Sequence, residues 1–493
     1  MGQAIEQEQF EPRDHERFSA RLQESLTALR EVLARPAFGV GPRSLGAELE
    51  MFLVDDEGKA VSRSVQVRRK AADPKVTLEL DRFNLEVNAE PLPLAGRPFQ
   101  TLSADLEQLL GKVRAAAHAE KSQVALIGIL PTLTRGRLGP DEMTRKSRYR
   151  ALNAGILASR KCPLRVDIDG PEPLQFDWDE VTLQGANTSF QVHLRVDPAD
   201  FARTYNAAQL ALAPALAMSG NSPFFLGHSL WEETRIPLFE QSVDDRDPRA
   251  PSWRPPRASF GHGWVRDGAY ELFAEGVALH APLLPVCSEE SPVIAARDGQ
   301  VPALEELRLH NGTVWTWSRA VYDPADGGHV RMELRPFPSG PTVQDMLATS
   351  AFVLGLTLAL SEETEWMLPA VPFELAKRNF FDAARRGLSA ELLWADGKAP
   401  SPRARGPVEL VESLLPVAEK GLLSHGVDAS DISSLLGLVS NRIARGMTGA
   451  RWQREAVAVF EKTCERKEAL ARMLHEYQLR STSGAPAHEW PLP

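Results

Sequence analysis

Only three cysteines occur in the 493 residues, and Cys162, Cys287 and Cys464 lie too far apart for a CxxC pair. An odd number at such spacing excludes a disulfide framework or a cysteine zinc site and fits a reducing compartment. Positive charge is not in excess either, since 56 Lys and Arg against 66 Asp and Glu leave a net charge of −10. A mildly acidic surface attracts no polyanion, which excludes nucleic acid as the main partner. The longest apolar run, Met346–Leu360, is interrupted by Thr349 and Ser350. It falls short of the ~20 residues that span a bilayer, so it reads as a buried core helix. The segment MGQAIEQEQFEPRDHERF lacks the apolar stretch of a secretory signal, and Glu6 stands where a myristoylation motif needs Ser or Thr. A cytoplasmic protein without a membrane partner is expected. Nucleotide loops are missing too: there is no GxxxxGK[ST], and neither Gly39-Val40-Gly41 nor Gly261-His262-Gly263 extends to GxGxxG. HExxH is also absent.

What is present is an ordinary globular composition, 43% hydrophobic and 25% charged, long enough for one to three domains. Phe18, Leu22, Leu26, Leu29 and Leu33 recur at helical spacing and predict a helix over Asp14–Arg35, stopped by Pro36. Over Leu45–Val54 the period changes to two. Leu45, Ala47, Leu49, Met51 and Leu53 take one face of a strand, and Glu48 and Glu50 share the other. Further strands are predicted at Val76–Leu80, Leu85–Val87, Val124–Leu130, Ser189–Val196, Thr313–Ser318 and Val330–Arg335, with helices at Ser103–Glu120 and Pro198–Met218. The proline-rich Asp244–Arg257 reads as a surface loop. From Thr342 to Arg480 the pattern is helical. Strands first and helices last give an α+β fold. Its expected organisation is a catalytic core over 1–341, a helical portion over 342–480 packed on it, and a disordered tail over 481–493.

The chemistry lies on the polar faces of the strands. Glu48 and Glu50 share one face, and Glu79 and Glu86 flank the turn-like Asp81-Arg82-Phe83-Asn84. His193 projects opposite the apolar Phe190, Val192, Leu194 and Val196, while Arg331, Glu333 and Arg335 oppose Val330, Met332 and Leu334. Taken singly, each is a solvated sheet face. Gathered on one concave sheet, five glutamates, a histidine and an arginine suit hard divalent cations bridging a triphosphate. Spacing alone leaves open whether the strands converge.

Gly46-Ala47-Glu48-Leu49-Glu50-Met51-Phe52 resembles the ExE strand of the glutamate–cysteine ligase type 2 family, part of the carboxylate–amine ligase group with the glutamine synthetase catalytic fold. The resemblance continues in Glu79, in Glu86-Val87-Asn88 and in Ser189-Phe190-Gln191-Val192-His193. It runs on through Ser219–Pro223, Thr234–Gln241, His310–Trp315, Arg331–Arg335 and Arg445–Gln453. The family implies a curved, mainly antiparallel sheet with flanking helices. By position it also implies that Glu48, Glu50, Glu79, Glu86, His193 and Glu333 coordinate metal, and that Arg335 contacts the transferring phosphate of ATP, with Glu333 and Arg335 catalytic. Arg235 matches a substrate-side arginine, and Asn221 and Ser222 lie in a loop that shapes the substrate pocket. Here Pro336-Phe337-Pro338 directly follows the ExR strand, where relatives continue through polar residues.

The expected activity is ATP-dependent amide formation through an acyl phosphate, with Mg²⁺ or Mn²⁺ as cofactor and small molecules, ATP and amino acids, as partners. Glutamate and cysteine are the expected substrate pair. A metal-dependent hydrolase of a phosphate or amide could use the same carboxylates, and it would turn over without ATP. A non-catalytic binding protein on the same fold is the third reading, and the retained glutamates count against it.

Overall fold

Eight strands form one curved sheet in the computed structural model, which describes residues 5–250, 253–397 and 401–493. They are β1 (Ser44–Val54), β2 (Val76–Leu78), β3 (Asn84–Asn88), β4 (Leu92–Pro93), β5 (Gln123–Ala125), β6 (Phe190–Val196), β7 (Ser318–Asp323) and β8 (His329–Leu334). The order is β7-β8-β6-β1-β3-β2, every pairing is antiparallel, and the short β4 and β5 also join β1. With sixteen helices around this sheet, the α+β expectation holds. The alternation on β1 is used as its period dictates: Leu45, Ala47, Leu49, Met51 and Leu53 enter the main hydrophobic cluster, leaving Glu48 and Glu50 to the other face.

Register then does what spacing could not. Residues directly opposite on neighbouring strands share a face. Thr77 lies opposite Glu86, Glu86 opposite Glu50, and Glu48 opposite Gln191. Next to them His193 stands opposite Glu333, and Glu333 opposite Arg319. The acidic positions of separate strands thus form one continuous row across the sheet.

The first helix runs Pro12–Leu33, opened by Pro12 at its first turn and by reciprocal bonds between Glu11 and Asp14. The apolar Val343–Leu360 is, among the described residues, the one helix long and apolar enough to cross a membrane, and 89% of it is buried inside the fold. It packs against Phe201–Ala217 and Pro407–Leu423. One hydrophobic cluster runs from Ile5 to Ile443 and a second joins Phe52, Ile127 and Phe225 to Trp452, Tyr477 and Trp490. The helices after 342 therefore share both clusters with the strand-bearing part.

Several expectations are corrected. The strand expected over Val124–Leu130 leaves the ladder after Ala125, because the chain turns in against the 219–223 loop. Gly128 donates its N–H to the Asn221 carbonyl at 3.3 Å, and a Cβ there would lie 2.9 Å from Arg235 Cδ. Thr313–Ser318 supplies only Trp315–Thr316, paired in parallel with Ala258–Ser259, and the sheet strand starts at Ser318. Arg235–Ser242 is a helix, unforeseen because Pro237 falls in its first turn. The Asp244–Arg257 segment is not all surface: fully buried Arg257 donates its Nε–H to Asp245 at 2.8 Å. Residues 251–252 of it, with Gly2 of the myristoylation motif and Pro400, lie outside the described residues. Nor is 481–493 disordered. Its Trp490 is 6% exposed and meets Trp452 and Tyr477 edge-on, each at 5.2 Å, while Ala487 donates its N–H to Asp345 at 3.0 Å. Small, polar composition concealed one aromatic anchor.

At the crossing of Val343–Leu360 with Pro407–Leu423 the two backbones approach closely. A Cβ on Gly421 would sit 1.9 Å from the Gly355 carbonyl oxygen, and one on Gly355 would sit 2.3 Å from that of Ala418. Gly421→Ala is therefore expected to lower the unfolding free energy by about 1–3 kcal/mol through overpacking. Gly437→Ala, on an open helical position with no atom within 4 Å of a new Cβ, should leave stability unchanged or raise it by about 0.5–1 kcal/mol. Denaturant unfolding compares the two.

Candidate active site

The polar row of the sheet faces a cavity of about 690 Å³. Glu48, Glu50, Glu79, Glu86, His193, Arg235, Glu333 and Arg335 all line it. Asn221 and Ser222 do not; they lie fully buried behind the wall.

On the β6–β8 side, Glu333 is 2% exposed and held by two arginines. Arg319 donates to both its oxygens, Nε–H at 2.5 Å and Nη2–H at 3.1 Å, and Arg335 Nη1 lies 3.1 Å from Oε1. Burial pushes the Glu333 carboxyl up, but the charges of Arg319 and Arg335 outweigh it and hold the group well below the usual range. Two guanidinium groups against one carboxylate leave surplus positive charge. Arg335 Nη1 also donates to Gln191 Oε1 at 2.5 Å, and Gln191 Nε2 donates to Glu50 Oε1 at 3.1 Å. The second oxygen of Glu50 accepts the Ser189 N–H at 2.7 Å.

His193 stands at the centre of the row. Its Nε2 lies 3.2 Å from Glu48 Oε1 and 3.9 Å from Glu333 Oε1, is buried, and is not aligned for a hydrogen bond with either. Oxygens of Glu48 and Glu333 and a His193 nitrogen all fall within 4.8 Å of one another. An orphaned imidazole nitrogen between two carboxylates fits a divalent cation. On the other nitrogen, Arg331 donates its Nε–H to His193 Nδ1 at 3.2 Å.

The β1–β3 side carries carboxylates in excess. Glu86 accepts from Thr77 Oγ1 at 2.9 Å and Asn88 Nδ2 at 2.6 Å, yet burial, reinforced by the Glu48 charge, raises it to about 7. Glu79 is pushed well above its ordinary value, by burial and then by the charges of Glu86 and Glu50. Glu50 is raised by burial against the opposing charge of Arg235. Glu48 goes the other way: burial raises it, but His193 brings it down to about 2. Carboxyls forced upward by one another are what a hard cation relieves.

Arg235 is 3% exposed, so it is neither a surface arginine nor free. Its Nη1 donates to Glu233 Oε1 and to the Pro336 carbonyl, both at 3.1 Å, while its Nε is buried without a partner. Here Asn221 and Ser222 find their place. The Asn221 N–H donates to Glu233 Oε2 at 2.9 Å and Ser222 Oγ to Glu233 Oε1 at 2.8 Å. Asn221 in turn donates its amide N–H to Ser339 O at 2.7 Å and Tyr477 Oη at 2.8 Å, and accepts from Gln453 Nε2 at 2.8 Å. Gly449 lets the last helices approach, since a Cβ there would lie 2.2 Å from Asn221 Oδ1. The loop expected to shape the substrate pocket directly instead supports the arginine that reaches it, and the Arg445–Gln453 segment braces the loop.

Sequence reasoning missed Arg319, because the expected strand ended at Ser318. The alternation of Ser318, Ala320 and Tyr322 with Arg319 and Val321 carried the signal. It also missed the aromatic wall of Phe239, Trp315 and Trp317.

With this geometry in view, a family model for glutamate-cysteine ligase family 2 matches residues 44–476. The chain belongs to that family. Over 168 residues this family member is 26% identical to "Putative glutamate--cysteine ligase 2" of Trichormus variabilis, a stretch of 32% of this chain and 40% of that relative. The chain thus aligns with less than half the length of that curated relative. Its fold is shared with a crystal structure of a glutamate–cysteine ligase from Francisella tularensis in complex with AMP. That likeness has a TM-score of 0.56 at 11% identity and covers 92% of this chain and 91% of the other.

Behind the aromatic wall, Glu240 accepts the Trp317 Nε1–H at 2.9 Å, and burial pushes its carboxyl up to about 8. The folded protein therefore holds a proton that the unfolded chain gives up near its ordinary 4.5. The stabilisation from Glu240 is complete below that value and is lost as pH rises through about 8. Measured against Glu240→Gln, the wild-type melting temperature should fall from pH 5 to about pH 8 and level off above it. A pH-independent difference would contradict the shift.

Proposed function

We propose that this protein is an ATP-dependent carboxylate–amine ligase, with the side-chain carboxylate of glutamate as donor and cysteine as amine acceptor. The observation that carries this reading is the placement of Glu333 and Arg335 with His193 and Glu48 on one cavity face, in a chain of this family. A carboxylate is a poor electrophile because its charge is delocalised over two oxygens. Transfer of the γ-phosphoryl group of ATP to one of them, with ADP leaving, gives an acyl phosphate. The acceptor's ammonium group first gives up a proton to solvent; its nitrogen then bonds to the carbonyl carbon, phosphate departs with the electrons of the C–O bond, and the nitrogen loses a second proton.

The residues' task is positioning and charge compensation. Arg335, held between Glu333 and Gln191, presents a planar fork to phosphoryl oxygens, and Arg319 adds a second cation beside it. Glu48, His193 and Glu333 would hold Mg²⁺ or Mn²⁺, with Glu50, Glu79 and Glu86 offering further oxygens; bound there, the cation neutralises the triphosphate. Arg235 has an unused Nε–H and a backing that fixes its guanidinium, which suits it to hold the donor's unreacting α-carboxylate.

The primary test is ADP release with glutamate and a panel of amines. Activity should require both ATP and a divalent cation. Full turnover in excess chelator would sink the metal site and the ligase reading with it, and product without ATP would favour the metal-dependent hydrolase.

Two substitutions then divide the site. Arg335→Lys keeps the charge but loses the fork, and should lower kcat by about a hundredfold. Wild-type rates in a folded variant would place Arg335 away from the phosphate.

Arg235→Ala should raise the KM for glutamate and cost roughly 30- to 1000-fold in kcat/KM, as one buried charge-assisted contact of about 2–4 kcal/mol predicts. The KM for ATP should hardly move. Glu233→Gln, which loosens Arg235 without removing it, should raise the same KM by a smaller factor. If the KM for ATP rises equally, Arg235 belongs to the phosphate side.

A further inference from the structure

One corner of the cavity carries hydrogen-bonding groups that the protein leaves unused. Asn84, at the start of β3, is 2% exposed and lines the cavity, yet neither its amide oxygen nor its amide nitrogen meets a partner. Asn187 is 8% exposed and lines it too. Its Nδ2 donates to the carbonyls of Leu183 at 3.2 Å and Gln184 at 3.1 Å, which fixes the amide's orientation and leaves Oδ1 as an unpaired acceptor. Gln184, also on the lining, has an unpaired Oε1. Between them Gly185 lacks a side chain, and the Asp81 carboxylate fills that space: a Cβ on Gly185 would lie 2.2 Å from Asp81 Oδ2. Asp81 is fully buried and both its oxygens are unpartnered. The turn brings it beside Asn84, whose N–H donates to the Asp81 carbonyl at 3.0 Å.

The inventory is one-sided. Among their buried polar atoms, Asn84, Gln184, Asn187 and Asp81 leave five oxygens and one nitrogen, Asn84 Nδ2, without a partner. None of the four is a cation, so they offer a phosphate or carboxylate no opposite charge. Buried acceptors left unmatched are costly, and a ligand rich in N–H groups is what satisfies them. The free amide of Asn84 can turn its oxygen toward such a ligand without breaking any bond. The anionic reactants are drawn instead to Arg319, Arg335 and Arg235.

We infer that this corner is the acceptor subsite, which takes the ammonium group of the incoming primary amine against the amide oxygens of Asn84, Gln184 and Asn187, with Asp81 behind Gly185. This rests on the ligase reading and names the part of the cavity that selects the nucleophile. It specifies the chemical class, a primary amine, and not the rest of the molecule.

The test is steady-state ADP release with glutamate as donor and either cysteine or methylamine, the minimal probe, as acceptor. Asn84→Ala removes an amide that bonds to nothing in the protein, so folding should survive, which a melting curve checks. It should raise the KM of both amines by about ten- to a hundredfold, with the KM values of ATP and glutamate within twofold of wild type. Gln184→Met, nearly isosteric but without the amide, should act in the same direction. The inference is overturned if the KM of glutamate rises instead, if the metal concentration for half-maximal activity rises instead, or if no KM moves because the corner holds only water. Should the wild type release no ADP with any amine, the ligase reading fails. Calorimetric titration of methylammonium into wild type and Asn84→Ala then decides the subsite by itself: binding heat lost in the variant supports it, and equal heats overturn it.

Discussion

Like charges buried on one sheet face set the terms for the rest of this molecule. Cross-strand register brings Glu86 against Glu50 and His193 against Glu333, on strands whose opposite face is locked into the main hydrophobic cluster. A one-residue slip of β1 would turn Glu48 and Glu50 into that cluster and Leu49 into the cavity. The apolar face therefore enforces what the acidic face alone would resist. The sheet answers the repulsion unevenly. Around Glu333 it supplies two arginines in direct contact, whereas the charge of Lys146 only partly offsets the burial of Glu79, so the two ends of the cavity differ in balance.

A second consequence of this layout is that Arg235 is held by a buried carboxylate which neutral groups in turn hold in place. Glu233 accepts from Asn221, Ser222 and Arg235 together. Those bonds fix the guanidinium at the cost of burying a carboxylate, a trade that makes sense where orientation matters more than stability. Removing one member of such a set leaves a buried charge uncompensated, so the layer is more sensitive than any surface ion pair.

Much of this was legible in the sequence because alternation is unambiguous wherever one face is apolar. Glu48, Glu50, His193, Glu333 and Arg335 could be assigned to a polar face from period two alone. That the four strands share a face could not, because partners as distant in sequence as Glu48 and Gln191 or His193 and Glu333 leave no local trace; only the ordered resemblance supplied it. Asn221 and Ser222 were placed at the cavity because a small polar loop reads the same whether it faces ligand or a buried glutamate. Arg319 escaped through a boundary set a few residues early. Trp490 escaped because one anchoring aromatic is lost in a segment averaged by composition. Arg257 looked like a surface residue among prolines, and its partner Asp245 twelve positions earlier gave no pattern to read.

The backing of Arg235 gathers Leu126, Asn221, Ser339, Gln453 and Tyr477 around one loop. These positions are spread over some 350 residues of sequence, so the pocket cannot be finished by local folding. Contacts of such long range form late. As the chain leaves the ribosome, the strands that carry the glutamates are synthesised well before the helix that bears Tyr477. An incomplete chain thus presents the carboxylate row without a fixed Arg235. Arg235 is fixed at the cavity only once nearly all of the protein has been made and docked, which couples completion of the pocket to completion of synthesis.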